Sequence, residues 1–120
     1  MSGNETTVVL FRPVGPEELE LLQQNQFRRW PPRLPEQSIF YPVANERYAC
    51  EIAERWNVKD SKYGAVTRFC VRGDFMSQYP IQKVGSSYHT EWWVPAEDLD
   101  ALNDNIVGVI EVIREYGSRA

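Results

Sequence analysis

Short stretches of alternating apolar and polar residues recur along the chain, and this pattern is typical of half-buried β-strands. It predicts strands over 7–12, 38–43, 65–71, 81–84, 88–94 and 106–113. Apolar residues at helical spacing predict helices over 16–24, 46–56 and 96–103. The order is strand, helix, strand, helix, and then mostly strands with one more helix. We therefore expect an α+β fold with a mixed or antiparallel sheet of about five to six strands and two to three helices.

The predicted strand over 88–94 has an unusual composition, because it holds the only histidine of the chain beside a carboxylate and two tryptophans. Alternation places one set of residues on each face: Tyr88, Thr90, Trp92 and Val94 on the first, and His89, Glu91 and Trp93 on the second. Desolvating an imidazole or a carboxylate without a partner costs free energy, so the second face is expected to meet water, a partner or a ligand. We expect one tryptophan in the core and the other, Trp93, at the wall of a pocket.

The bulk properties narrow the class of protein. A length of 120 residues predicts a single domain over 1–120, with flexible ends at 1–7 and 117–120. A net charge of −4 makes a nucleic-acid partner unlikely, because phosphates need a basic surface. The two cysteines match no metal-ligand spacing, and no apolar run is long enough for a membrane span. We therefore expect a cytoplasmic protein with neither a metal nor a membrane partner.

Glu91 is the candidate catalytic residue, with His89 as its neighbour on the same face. A carboxylate in this setting can take a proton, or it can hydrogen-bond a sugar hydroxyl while positive charge develops on the sugar ring. The alternative is a solvent-edge Glu–His pair without chemistry, because charges on edge strands also prevent aggregation.

Three arginines allow both a functional and a structural interpretation. Arg12, at the end of the first strand, can hold a phosphate or form a salt bridge to an acid on a neighbouring strand. For Arg68, in the middle of a strand, a structural ion pair is favoured. Arg33 lies in the segment 26–36, where three prolines and three arginines predict an irregular loop. That loop is either a surface strap or an anion-binding loop, because guanidinium groups suit phosphate.

Three segments together resemble a known family: Leu10-Phe-Arg-Pro-Val-Gly15, Pro32-Arg-Leu-Pro-Glu-Gln-Ser-Ile-Phe-Tyr-Pro-Val43 and His89-Thr-Glu-Trp-Trp-Val-Pro95. The chain resembles, from residue 9 to 115, small bacterial proteins named ADP-ribosylation/crystallin J1. The strand-rich layout looks like a minimal ADP-ribosyltransferase fold. It does not look like the longer, all-helical ADP-ribosylglycohydrolases.

The resemblance implies an NAD-dependent transferase or an NAD-binding domain. It implies that Arg12 grips NAD, that Tyr41 or Ser38 is the second-strand member of the site, and that Glu91 steadies an oxocarbenium-like transition state on the ribose. Arginine suits a pyrophosphate and an aromatic ring suits nicotinamide. Arg33 and Trp93 complete the expected cofactor-binding set. NAD is expected as the substrate.

Two other functions remain open on the sequence. The chain can be a non-catalytic protein-binding or regulatory module, in which Glu91 pairs with a structural cation and an apolar patch meets the partner. It can also be a sensor that keeps a nucleotide pocket without turnover. The acceptor substrate, the protein partner and the oligomeric state do not follow from the residues.

Overall fold

The computed structural model describes residues 6–57, 59 and 62–117. It contains seven strands: β1 Thr7–Val14, β2 Ile39–Phe40, β3 Tyr63–Arg72, β4 Ile81–Lys83, β5 Thr90–Trp92, β6 Val94–Pro95 and β7 Ile106–Gly117. Four α-helices have described bounds: α1 Pro16–Gln24, α2 Glu46–Ile52, α3 Gly73–Met76 and α4 Leu99–Asp104. A π-helical turn, Ala53–Asn57, continues α2, and a 3₁₀ turn, Ala96–Asp98, precedes α4. The predicted α+β class is confirmed.

The strands pair antiparallel throughout the described part of the chain. β3 lies between β1 and β7, β2 pairs with β6, and β4 pairs with β5 in a hairpin. Val43 joins two of these groups, because it forms an antiparallel bridge to Phe11 of β1 and another to Glu91 of β5. The first strand and the late strand therefore lie on either side of one residue.

The first strand, predicted over 7–12, continues through Pro13 to Val14. The backbone N–H and C=O of Phe11 both hydrogen-bond to Val43, on the side of β1 away from β3. Because backbone groups alternate sides along a strand, the nitrogen of Pro13 also faces away from β3. Beyond Val43 no described strand flanks this side of β1, so the missing N–H of Pro13 breaks no ladder bond. The strand reaches two residues further than the sequence predicts.

Alternation along β1 and β3 gives the central sheet two apolar faces. One face carries the main core, which is closed by α1, α4 and the segment 26–36; its largest buried side chains include Leu10, Leu19, Leu22, Trp30, Phe40, Phe69 and Leu102. The other face packs against α2 through a smaller core of Val43, Ala49, Ala53 and Val66. Part of each face of the sheet is thus buried, which fixes the register of the strands.

Other boundaries also differ from the sequence interpretation. The expected strand over 38–43 keeps only β2 and the Val43 bridge, and the expected strand over 88–94 divides into β5 and β6 at Trp93. The helix expected over 46–56 ends at Ile52 and continues as the π-helical turn. Thr7 and Gly117, assigned to flexible ends, begin β1 and end β7. Residues 1–5 and 118–120, parts of the 57–64 connection and the Trp56 side chain lie outside the described residues.

None of the helices in the described ranges is both long and apolar enough to cross a membrane.

Candidate functional site

The start of α2 sets the position of one wall of the site. Asn45 is the N-cap of this helix, and its Oδ1 accepts a hydrogen bond from the Tyr48 backbone N–H at 2.8 Å. Its Nδ2 donates to the Tyr88 carbonyl oxygen at 2.5 Å and lies 3.2 Å from Thr90 Oγ1. One side chain therefore begins the helix and ties it to the segment that leads into β5. Tyr48 is held over β5 as a result.

Glu91 is a nearly buried carboxylate, with 9% of its surface exposed. Tyr48 Oη–H donates to its Oε1 at 3.1 Å, and Trp93 Nε1–H donates to its Oε2 at 2.8 Å. No salt-bridge cation lies within 4.0 Å of this carboxylate among the residues described. Two neutral donors thus hold both oxygens in place, and each oxygen keeps a lone pair for a further donor.

The Tyr48 phenol is strongly perturbed by this arrangement. Burial raises the pKa of Tyr48 to about 12, and the neighbouring Glu91 carboxylate adds to the shift through its charge and its hydrogen bond. A phenol with so high a pKa stays protonated at physiological pH. It therefore serves as a permanent hydrogen-bond donor to Glu91.

His89 lies behind Tyr48 and contacts its ring. The two ring centroids are 4.6 Å apart in a stacked arrangement. His89 Nδ1 accepts a hydrogen bond from the Ser86 N–H at 3.1 Å, so the proton of the neutral imidazole belongs on Nε2. That Nε2 lies 3.5 Å from Glu51 Oε1, beyond a good hydrogen bond. The structure thus places His89 against Tyr48 and Glu51, not on Glu91.

Glu51 joins this cluster from one turn further along α2. It accepts a short hydrogen bond from the Tyr88 hydroxyl and forms an ion pair with Arg55 at 3.2 Å. The Tyr88 hydrogen bond is the main cause of the lowered pKa of Glu51, and His89 and Arg55 contribute to it. Two carboxylates, Glu51 and Glu91, therefore lie on either side of the Tyr48–His89 stack.

A cavity of about 370 Å³ opens beside Glu91. It is bordered by three predicted site residues, Arg12, Tyr41 and Glu91, and by Pro13, Val43 and Ile52. Small-molecule sites usually have volumes of about 300–1,000 Å³, so this cavity is near the lower end of that range. Residues from the first strand, the segment after β2 and a late strand therefore meet at one opening.

Arg12 is anchored within this wall by several partners. Its Nε and Nη2 donate to the two carboxylate oxygens of Glu18 at 2.8 and 3.1 Å, and its Nη1 lies 3.4 Å from the Tyr41 carbonyl oxygen. Its guanidinium also lies 4.6 Å from the centroid of the Phe40 ring. The salt-bridge interpretation of Arg12 is present in the structure. Its acid comes from α1, not from a neighbouring strand.

The other predicted site residues have different surroundings. The side chains of Tyr41 and Trp93 are each 44% exposed, whereas Trp92 is in the main core, as expected for one of the two tryptophans. Ser38 is exposed, and its carbonyl oxygen accepts a hydrogen bond from the Ala96 N–H at 2.8 Å, away from the cavity. Arg33 borders a second cavity instead. The structural pair expected for Arg68 is present, with Glu111 at 3.2 Å across β3 and β7.

Sequence reasoning missed three residues that shape this region: Glu18, Tyr48 and Glu51. From the sequence, helical spacing places Tyr48 only on the apolar stripe of α2, and Glu18 is only an acid near the start of α1. A usable signal was present, because Asn45 as N-cap places Tyr48 and Glu51 three residues apart on one face of α2.

No group of three or more histidine, cysteine, aspartate or glutamate side chains in the described ranges is arranged to hold a metal ion. Comparison of the chain with protein-family models, with curated proteins and with solved structures finds no match.

Proposed function

We propose that the chain binds NAD at the cavity beside Glu91 and transfers the ADP-ribosyl group to an acceptor, on an ADP-ribosyltransferase-like fold. The observation that supports this most is the convergence of Arg12, Tyr41 and Glu91 on one opening. The cavity is small for a whole dinucleotide. It suits the nicotinamide and its ribose, where the reacting bond lies.

In the proposed reaction the bond between the nicotinamide nitrogen and ribose C1′ breaks, and its electron pair leaves with nicotinamide. Glu91 offers a fixed negative charge where the ribose ring becomes cationic, and a lone pair for a ribose hydroxyl. The acceptor then forms a bond to C1′ and loses a proton. Preorganisation by Tyr48 and Trp93 means that little reorganisation of the carboxylate is needed during the step.

Tyr41 and Arg12 contribute to binding in this proposal. The half-exposed Tyr41 ring offers a face on which a flat nicotinamide can stack. Arg12 donates Nε–H and one Nη2 N–H to Glu18, and Nη1 approaches the Tyr41 carbonyl oxygen, so the remaining N–H groups of Nη1 and Nη2 are left for an oxygen of the ligand. Its positive charge also attracts the negatively charged pyrophosphate.

The contacts of Glu91 bear on the alternative of a non-catalytic module. That alternative requires a structural cation beside Glu91, yet the observed partners are a phenol and an indole. A nearly buried carboxylate at the wall of a cavity, held only by neutral donors, is more useful to a developing cation than to a static interface.

Calorimetric titration with NAD tests the binding half of the proposal. We expect saturable binding by the wild type and about tenfold weaker binding by Tyr41→Ala, because loss of one stacked ring costs about 1–3 kcal/mol. Ile81→Ala is the matched control, since Ile81 is also exposed but lies outside the cavity. Absence of NAD binding by the wild type, or equal affinities for wild type and Tyr41→Ala, would contradict the proposed site.

A further inference from the structure

Two guanidinium groups lie against the ring of Phe40. The Arg12 and Arg33 guanidinium carbons are 4.6 and 5.7 Å from the centroid of its ring. Arg12 Nη1 approaches the Tyr41 carbonyl oxygen, and Arg33 Nη2 donates to the Ile39 carbonyl oxygen at 3.1 Å. The two cations are therefore fixed by the carbonyl groups on either side of the same residue.

Among the described side chains, one carboxylate contacts this pair of cations. Glu18 binds Arg12 through both oxygens. Arg33 has no carboxylate within 4.0 Å among the described residues, and its buried Nε has no hydrogen-bond acceptor there. Glu17 also borders the adjoining cavity, but its side chain is exposed, so water screens its charge. Within the part of the chain that the structure describes, Arg33 is therefore a cation without an anionic partner.

The surroundings make the Arg33 cation unfavourable as it stands. Burial is the main cause of the lowered pKa of Arg33, and the charge of Arg12 lowers it further, while Glu18 offsets part of the effect. An anion bound to the guanidinium would counteract both the burial of the Arg33 charge and its repulsion by Arg12. It would pair the desolvated charge and reduce the repulsion between the two arginines.

Arg33 faces a second cavity, of about 440 Å³, between the start of α1 and the segment 26–36. Its other walls are mixed: Leu21, Pro31, Pro32 and Leu34 form an apolar part, and Glu17, Glu18 and Gln37 form a polar part. Both oxygens of Glu18 are engaged by Arg12. The consecutive prolines stiffen this segment, so ordering it around a ligand loses little conformational entropy. The cavity thus combines the Arg33 guanidinium with an apolar patch, while the Glu18 carboxylate at its edge is held by Arg12.

We propose that this second cavity binds a small molecule through an oxyanion, phosphate or carboxylate, held by the Arg33 guanidinium. The apolar part of the molecule lies against Leu21, Leu34 and the prolines. Glu91 is not part of this site, so the proposal can be tested independently of the proposed NAD reaction.

Nuclear magnetic resonance of the full chain tests this inference through the Arg33 Nε–H signal. The protein is titrated separately with inorganic phosphate, with acetate and with adenosine monophosphate. We expect a saturable shift of that signal with at least one anion, and a lower dissociation constant for the monophosphate if the apolar walls contribute. Phosphate and acetate distinguish the two oxyanions. An Arg33 signal that none of the three ligands moves would overturn the proposal.

Two matched substitutions in segment 26–36 test whether anion binding depends on Arg33. Arg33→Gln is expected to weaken binding at least about tenfold, the typical value of a lost charge-assisted hydrogen bond. Arg28→Gln removes the same charge from an exposed side chain of the same segment and is expected to leave binding unchanged. Equal affinity of wild type and Arg33→Gln would refute the assignment.

A third variant keeps the test decisive if Arg33→Gln does not fold. Glu18→Gln removes the carboxylate that neutralises the arginine pair, so anion binding is expected to tighten severalfold. Unchanged or weaker binding by folded Glu18→Gln would count against the arginine pair as the anion site.

Discussion

Glu91 shows how neutral partners can hold a buried charge ready for use. A salt bridge would fix this carboxylate but would also cancel its field, whereas the phenol of Tyr48 and the indole of Trp93 only orient it. These hydrogen bonds offset the desolvation free energy of the buried Glu91 carboxylate. Its negative charge remains available to a cation in the cavity. The Tyr48 hydroxyl is therefore as much a part of the site as the carboxylate.

Tyr48→Phe has a pH signature that isolates this hydroxyl. The ordinary pKa of tyrosine is 10.0 and the folded-state pKa of Tyr48 is about 12, so the folded state binds the proton more tightly. The stabilisation is fully present below the unfolded value and is lost as the pH rises through the folded one. We therefore expect the excess stability of wild type over Tyr48→Phe to decline between about pH 10 and pH 12.

Urea denaturation of both proteins across this range measures that difference. Tyr79, Tyr88 and Tyr116 also have raised pKa values, but they titrate in both proteins and cancel in the comparison. A difference that stayed constant up to pH 12 would show that the Tyr48 hydroxyl does not bind Glu91 as described.

Individual side chains were predictable where alternation decides their environment. Alternation predicts that one of Trp92 and Trp93 lies in the core, and the position of Arg68 in mid-strand favours an ion pair, although the partner Glu111 does not follow from the sequence. Tyr48 was not predictable in the same way, because periodicity places its ring on the apolar stripe and is silent about where the hydroxyl at its end points.

Helix α2 acts as a positioning element, and Asn45 is the residue that sets it. The Asn45 side chain has two separable functions: Oδ1 caps the helix, and Nδ2 links it to the segment before β5. We expect Asn45→Ala to lower the free energy of unfolding by about 1–2 kcal/mol, since both are lost. Asn45→Ser keeps a capping oxygen and is expected to lose less.

Thermal or urea denaturation of the two variants separates these functions. The difference in free energy of unfolding between Asn45→Ser and Asn45→Ala measures the capping hydrogen bond of Oδ1. The difference between wild type and Asn45→Ser measures the hydrogen bond from Nδ2 to the segment before β5. Wild-type stability in Asn45→Ala would mean that neither contact matters.

Element types were easier to predict than element ends. The cap at Asn45, the proline at the start of α1 and the β4–β5 hairpin follow from local sequence signals. The passage of β1 through Pro13 does not, because a proline is tolerated only when its amide position faces away from the partner strand. That depends on the Val43 bridge, which is a long-range contact.

The arrangement of the whole molecule places the two cavities next to the arginine pair. Val43 bridges β1 on one side and β5 on the other. This arrangement brings Arg12 and Glu91 to the same cavity, although they are 79 positions apart in the sequence. The order of elements predicts the α+β class. It does not predict that Glu18 would bind Arg12, or that Arg33 would face a different cavity, because both depend on how α1 and segment 26–36 pack.

Nicotinamide release from NAD by wild type and Glu91→Gln tests the central claim most directly. Glutamine can keep both hydrogen bonds, because the Tyr48 hydroxyl can accept from the new amide while the amide oxygen accepts from Trp93. Only the negative charge is lost. We expect the turnover rate to fall at least about 100-fold, the usual effect of removing one transition-state-stabilising group.

Glu111→Gln removes an exposed carboxylate from β7 and is the control, with wild-type turnover expected. Release of nicotinamide by wild type and by Glu111→Gln, but not by Glu91→Gln, is the result that this account predicts. No release by the wild type above the protein-free rate, or equal release by Glu91→Gln, would contradict it.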